Sequence, residues 1–110
     1  MAHIAVLGLG NWGTAIARLW LLEGHKVKGW TIEQEVYESI MMENVNQKYL
    51  ADYPVEGLDV TMHLEEAIEG CEIVVLAVPS SVILDVMEDV LPHLQPGHVL
   101  LDLAKGLAPG

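Results

Sequence analysis

The sequence is poor in basic residues. Five lysines and arginines stand against sixteen aspartates and glutamates, so the 110-residue chain has a formal net charge of −11. Nucleic acids and anionic membranes bind to basic surfaces, and this charge argues against both as partners. The same field does not steer an anionic ligand toward the protein, so a phosphate-bearing ligand must be held by local geometry.

Cysteines and long apolar runs are also scarce. Cys71 is the only cysteine, which excludes an internal disulfide and fits a reducing cytoplasm, where we expect the protein to reside. No apolar run approaches the roughly 18 residues of a membrane span, and no signal peptide is predicted. The five histidines lack a ligand spacing such as HxxxH, so we expect no metal site.

What the sequence does contain is a regular alternation of short apolar runs and helical patterns. We predict strands at residues 3–7, 26–30, 59–63, 72–78 and 99–103. Helices are predicted at 14–23, 33–44 and 64–69, and an apolar stripe over 82–94 predicts a fourth. Such alternation indicates one α/β domain, with a Rossmann-like, doubly wound parallel sheet of about five strands in the order 3-2-1-4-5.

Three glycines lie directly after the first predicted strand. Gly8, Gly10 and Gly13 have the GxGxxG spacing of a dinucleotide-binding turn. In that interpretation Gly8 permits the tight turn, Gly10 lets a pyrophosphate approach the backbone, and Gly13 lets the helix pack close to the strand. Glycines also mark ordinary turns. Here, however, the pattern lies between a strand and a helix, at the point where the strand order reverses and ligands are expected.

The end of the second strand distinguishes NAD from NADP in such domains. An acidic residue there accepts hydrogen bonds from the ribose hydroxyls, whereas an arginine suits the 2′-phosphate. The segment over residues 30–34 has no basic residue, and Glu33 lies near the expected offset from the glycines. Glu33 is equally well explained as an acidic residue in the first turn of a helix. We therefore expect NAD to be favoured over NADP.

Four segments resemble the opening domain of NAD-dependent glycerol-3-phosphate dehydrogenases. The first is VLGLGNWGTAIA, which has the family's Asn-Trp inside the glycine turn, and the second is ENVNQKYLADYPV, which is similar to its Asn-x-x-Tyr-Leu-Pro segment. The others are LEEAIEGCEIVVLAVPS, with its Val-Pro turn, and LLDLAKGLAPG, with its Lys-Gly pair. The matches fall in order along the whole chain and are together far more specific than GxGxxG alone.

The resemblance implies roles at matching positions. Ile32 takes the place where family members carry an arginine for NADP or an apolar residue against adenine, and Val82 matches a residue that lines the cofactor pocket. Lys105 matches a lysine that contacts the phosphate-bearing substrate, although on its own it would be explained more simply as a solvated loop lysine. The cofactor-binding residues expected from the glycine turn and the resemblance are Gly8, Leu9, Gly10, Asn11, Trp12, Gly13, Ile32 and Val82, and Lys105 is the expected catalytic residue.

The chain also departs from the family. Thr31-Ile32 replaces the Gly-Arg common in bacterial members, and Ala51 stands where a proline is usual. The family's second, mostly helical domain, which supplies the main catalytic lysine and most substrate phosphate contacts, has no counterpart here. The resemblance thus implies that residues 1–110 are the cofactor-binding half of an enzyme that acts on a small phosphate-bearing substrate. We expect this half alone to be inactive.

Two other interpretations remain open. The chain could be a stand-alone nucleotide-binding or regulatory module, or the cofactor domain of a related reductase of the ketopantoate or prephenate dehydrogenase type. The Asn-Trp and Tyr-Leu pairs argue against the second of these. In addition, strand five could be left as an exposed apolar edge, and such edges pair with other chains. We therefore expect self-association as a homo-oligomer.

Overall fold

The computed structural model describes residues 2–103, and these form alternating strands and helices. In chain order the elements are β1 (His3–Leu7), α1 (Asn11–Leu22), β2 (Lys26–Trp30), α2 (Gln34–Glu43), β3 (Asp59–Thr61), α3 (Leu64–Ile68), β4 (Ile73–Leu76), α4 (Ile83–Val90), a 3₁₀ turn (Leu91–His93) and β5 (Val99–Asp102). All five strands are parallel and lie in the order β3-β2-β1-β4-β5. The predicted α/β class and strand order are confirmed.

Helices cover both faces of this sheet because its side chains alternate between two apolar cores. Ile4 and Val6 of β1 pack into a core that includes residues of α1 and α2. Ala5 and Leu7 point the other way, into a core that includes residues of α3 and α4. β1 is central and buried on both sides, as expected for a continuous apolar strand. The carboxyl ends of β1 and β4 therefore meet at one edge, where the chain turns into helices on opposite faces.

A threonine hydroxyl begins the turn after two of the strands, β2 and β3. Thr31 Oγ1 accepts a hydrogen bond from the N–H of Glu33 at 3.1 Å, directly after β2. Thr61 Oγ1 accepts one from the N–H of His63 at 3.1 Å, at the end of β3. Such hydroxyl turns compete with the strand ladder. The second explains why β3 stops at Thr61 although the sequence predicted a strand over 59–63.

The other element boundaries differ from the prediction in ways that have local causes. α1 begins at Asn11, three residues earlier than predicted, because its N-cap is Gly10, which provides no capping side chain to read in the sequence. The helix predicted over 82–94 is α4 followed by the 3₁₀ turn. Pro92 has no N–H to extend the α-helical hydrogen bonds past Val90. β4 is shorter than the predicted 72–78.

β5 forms one edge of the sheet. Within residues 2–103 it pairs only with β4, and Val99, Leu100 and Leu101 are exposed. The exposed apolar edge predicted from the sequence is therefore present in the described part of the chain. None of the helices among these residues is both long enough and apolar enough to cross a membrane.

Candidate functional site

A cleft of about 880 Å³ opens at the carboxyl ends of the strands, between the turn after β1 and the turn after β4. Ligand pockets are commonly of this size and lie at this topological position. Of the residues predicted to bind a cofactor, seven line the cleft: Gly8, Leu9, Gly10, Asn11, Trp12, Ile32 and Val82. A second hollow of about 650 Å³ lies before β4 and β5. Its lining includes Glu65, Glu66 and Glu69, which would repel a phosphate.

Gly8 and Gly13 are required by the packing of the turn itself. Gly8 has a φ of +113°, and a Cβ built there would lie 2.7 Å from the carbonyl oxygen of Ala77. A Cβ on Gly13 would lie 1.8 Å from the carbonyl oxygen of Gly8. A side chain at Gly8 would require the segment after β4 to move, and a side chain at Gly13 would require α1 to move away from the turn after β1. The structural roles predicted for these two glycines fit this geometry, and Gly13 does not line the cleft.

Gly10 differs from Gly8 and Gly13, because no protein atom lies in the space beside it. Its φ is −81°, and a Cβ built there would have nothing within 4 Å. Gly10 is also the N-cap of the 12-residue helix α1 and contributes no side-chain hydrogen bond to it. The first N–H groups of a helix lack partners within the helix, and its dipole places positive charge there. The open space at Gly10 thus lies beside the positive end of the α1 dipole.

The residues around Gly10 differ in how far their side chains are exposed to the cleft. Trp12, in the first turn of α1, is 66% exposed, so its ring is available at the cleft. Asn11 is exposed beside it. The side chain of Leu9 is 2% exposed and packs in the core with α1 and α2. Leu9 can therefore contact a ligand in the cleft essentially through its backbone only.

On the β2 side of the cleft, Ile32 is 73% exposed. An aliphatic side chain that stands free at a cleft rim is suited to contact a flat apolar ring. Opposite, the wall includes Val78, Pro79 and Val82, which follow β4. Val82 is the N-cap of α4 and is partly exposed. The same wall also includes Asp85 and Asp89 of α4, so apolar and acidic side chains flank the glycine turn at the floor of the cleft.

Glu33 is held by two side chains from the loop between α2 and β3. Its carboxylate accepts hydrogen bonds from Lys48 Nζ and, at 2.8 Å, from the hydroxyl of Tyr49. These hydrogen bonds, that from Lys48 first, lower the pKa of Glu33 below its ordinary value. The same contacts raise the pKa of Lys48 and of Tyr49. Lys48 Nζ also donates to Glu35 at 3.0 Å.

This contact is not evident from the sequence. Residues 30–34 contain no cation, whereas the structure brings Lys48 to Glu33 from 15 positions further along the chain. Tyr49 lines the cleft beside Glu33 and was not among the predicted site residues. The signal available was the Tyr-Leu segment noted in the resemblance, but its spacing does not tell which side chain faces the cleft.

Asn46 fixes the same loop to the glycine turn. It is 0% exposed, and its Nδ2 donates to the carbonyl oxygen of Leu9 and to Thr14 Oγ1, both at 2.8 Å. Its Oδ1 accepts from the N–H of Tyr49 at 3.2 Å. One buried amide therefore couples the floor of the cleft to the loop that carries Lys48 and Tyr49. Nothing in the sequence pattern indicates that Asn46 is buried.

The remaining predictions concern the catalytic lysine, a metal site and the cysteine. Lys105 lies outside the described residues, and Leu103, two positions before it, lines the cleft. Among residues 2–103 no group of three histidines, cysteines or acidic residues is arranged to hold a metal ion. Cys71 is buried, with its Sγ 3.2 Å from the carbonyl oxygen of Ala67, and burial raises the pKa of its thiol.

A parallel sheet in this order, with a glycine turn and a helix N-terminus at its switch point, defines the class of Rossmann-type dinucleotide-binding domains. The family is also defined. Residues 3–110 match the family profile described as NAD-dependent glycerol-3-phosphate dehydrogenase N-terminus. The chain belongs to this family.

Individual relatives agree with this assignment. The chain is 43% identical over 105 residues to a glycerol-3-phosphate dehydrogenase of Halorhodospira halophila, and 35% identical over 108 residues to one of Corynebacterium urealyticum. These alignments cover 94% and 97% of this chain, but 31% and 32% of the relatives. The crystal structure of glycerol-3-phosphate dehydrogenase from Coxiella burnetii superposes with a TM-score of 0.86 at 33% identity, over 96% of this chain and 34% of that one. The chain thus spans about a third of the length of these relatives.

Proposed function

We propose that this chain binds NAD in the cleft and is the cofactor-binding domain of a glycerol-3-phosphate dehydrogenase. The observation that carries the proposal is the space at Gly10, which no side chain fills and which lies at the N-terminus of α1. A helix N-terminus without a capping side chain or an acidic first turn suits a phosphate. This local arrangement favours an anion although the chain as a whole is strongly acidic.

Each part of the cleft has a proposed role toward the cofactor. The backbone from Gly8 to Trp12 holds the pyrophosphate, with the side chains of Asn11 and Trp12 beside it. Ile32 packs against adenine, and Val82 lines the opposite wall. Glu33 or Tyr49 forms a hydrogen bond with the adenosine ribose. NAD is preferred because Glu33 places a carboxylate where NADP carries its 2′-phosphate. The relatives are named for both cofactors, as NAD(P)+ enzymes.

In the whole enzyme the proposed reaction is the oxidation of sn-glycerol 3-phosphate to dihydroxyacetone phosphate. When bound, NAD would supply the hydride acceptor for the oxidation at C2 of the substrate. This domain binds and orients the cofactor. By family resemblance Lys105 contacts the substrate, where its ammonium would polarise the oxygen at C2. The main catalytic lysine belongs to the second domain of the family, so we propose that residues 1–110 alone do not turn over.

Titration of the purified chain with NAD and NADP tests the proposal. Calorimetry gives both dissociation constants, and tryptophan fluorescence reports occupancy, because Trp12 lies in the cleft. The control variant is Trp12→Phe, which should lose most of the fluorescence change, because Trp30, which also lines the cleft, is only 8% exposed and Trp20 lies outside the cleft. Failure of both nucleotides to bind at millimolar concentration would refute the function. Formation of NADH from glycerol 3-phosphate by the chain alone would refute its inactivity.

Two further proposals concern the setting of the domain. The single cysteine, buried and reduced, fits a cytoplasmic location. The exposed edge of β5 could pair with a second copy of the chain. Sedimentation velocity over a wide concentration range tests this self-association, and a monomer at every concentration would contradict it.

A further inference from the structure

The charges beside the adenosine end of the cleft form a small cluster that the fold assembles from two segments. Glu33 follows β2, and Lys48 and Tyr49 come from the loop between α2 and β3. Lys48 Nζ bonds to Glu33 and, at 3.0 Å, to Glu35. Tyr49 donates to the second oxygen of Glu33. Both Glu33 and Tyr49 line the cleft, so the charge carried by Lys48 acts directly at its rim.

Within residues 2–103, Lys48 is also the basic residue best placed to act on a ligand at this rim of the cleft. Arg18 bonds to the carbonyl oxygen of Pro54, and Lys28 bonds to backbone carbonyls of the α3 segment. Lys26 lies at the amino end of β2, whereas the cleft lies beyond its carboxyl end. Of the four basic residues in this part of the chain, Lys48 alone is bonded to a residue that lines the cleft.

We propose that Lys48 determines how strictly this domain discriminates NAD from NADP, which rests on the proposed binding of a dinucleotide in the cleft. Glu33 without a partner would place a full negative charge against a 2′-phosphate. Lys48, which is shared with Glu35, offsets part of that charge and adds an ammonium that can turn to the phosphate. With Lys48 present the site therefore tolerates NADP, and without it the site binds essentially NAD alone.

The geometry explains why the pair can respond to the ligand. Lys48 and Glu33 are both partly exposed, so their contact is not locked by the core and the lysine can change partner. A carboxylate oxygen also has two lone-pair sites, and each oxygen of Glu33 receives one hydrogen bond in the cluster. A ribose hydroxyl can therefore be accepted without breaking the pair, whereas a 2′-phosphate competes with Glu33 for Lys48.

The test measures the dissociation constants of NAD and NADP for the parent chain and three variants. Lys48→Met should raise the ratio of the NADP to the NAD constant about tenfold, and Glu33→Gln should lower it about tenfold. The matched control is Lys26→Met, which changes net charge equally but lies about 15 Å from the cleft along β2. That is beyond the Debye length of about 8 Å at physiological salt, so the ratio should stay within about twofold.

The outcomes separate this inference from the proposed function. If the parent binds NAD but Lys48→Met and Lys26→Met change the ratio equally, the role of Lys48 is refuted and the dinucleotide site stands. If the parent binds neither nucleotide, both the proposed dinucleotide site and the role of Lys48 are refuted. Raising the salt to about 1 M should shrink the effect of Lys48→Met, because the Debye length falls to about 3 Å. An effect that does not depend on salt would contradict the electrostatic reason.

Discussion

Replacing Asn46 with alanine should strongly destabilise the domain. The side chain makes three hydrogen bonds, to the carbonyl oxygen of Leu9, to Thr14 Oγ1 and from the N–H of Tyr49. Because Asn46 is fully buried, water cannot replace these partners. At about 1 kcal/mol for each bond, the loss of unfolding free energy is about 3 kcal/mol.

That loss is large relative to the total stability of such a domain, which is about 5–15 kcal/mol. For a chain of this size it corresponds to a fall in melting temperature of about 15 °C. Thermal and urea unfolding, followed by circular dichroism, measure it. The matched control is Gln47→Ala, since Gln47 is exposed and its amide bonds to the exposed Glu43. Its effect should stay within about 0.5 kcal/mol.

The result for Asn46→Ala decides whether this side chain tethers the loop to the glycine turn. A loss below about 1 kcal/mol, close to the control, would refute the reasoning. A loss of the expected size should also come with weaker NAD binding, because the loop carries Tyr49 into the cleft. Normal affinity at a temperature well below the transition would show that the loop keeps its position without the amide.

Three other predictions follow from contacts at single positions. Gly13→Ala should lower the melting temperature by about 10 °C or more, because its Cβ would overlap the carbonyl of Gly8. Glu33→Gln should lower stability slightly at neutral pH. Since the pKa of Glu33 is lowered in the folded state, the difference between parent and variant should persist above the ordinary pKa of 4.5 and vanish as the pH falls through the folded value. Cys71 should resist alkylation at pH 7 in the folded chain and react after denaturation, because it is buried and its thiol pKa is raised.

The sheet could be predicted from the sequence because each strand is marked by a short local pattern of residues. The strands at 3–7 and 26–30 have the predicted bounds, since each is a short apolar run between turn residues. Alternation with helices then leaves few possible strand orders. The close packing at Gly8 and Gly13 agrees with the roles predicted for them from their spacing, whereas the approach of a phosphate to Gly10 stays a prediction.

The rim of the cleft could not be predicted in the same way. Lys48 and Tyr49 reach Glu33 across 15 and 16 positions, and the path of the intervening loop has no periodic pattern. Asn46 looks like an ordinary polar loop residue, yet it is buried because two backbone segments leave groups that only an amide can satisfy. Such contacts depend on the folded arrangement of distant segments, and sequence spacing alone does not reveal them.

In the proposed function, the backbone at Gly10, which has no side chain and lies at the N-terminus of α1, binds the phosphates of the cofactor. Gly10→Ser tests it most directly, because serine is a favoured N-cap and its side chain has open space. We expect the melting temperature to stay equal or rise. The dissociation constant of NAD should rise about tenfold or more, since the serine occupies the phosphate site and bonds to the same N–H groups. A variant that is equally stable and binds NAD as tightly as the parent would contradict the account.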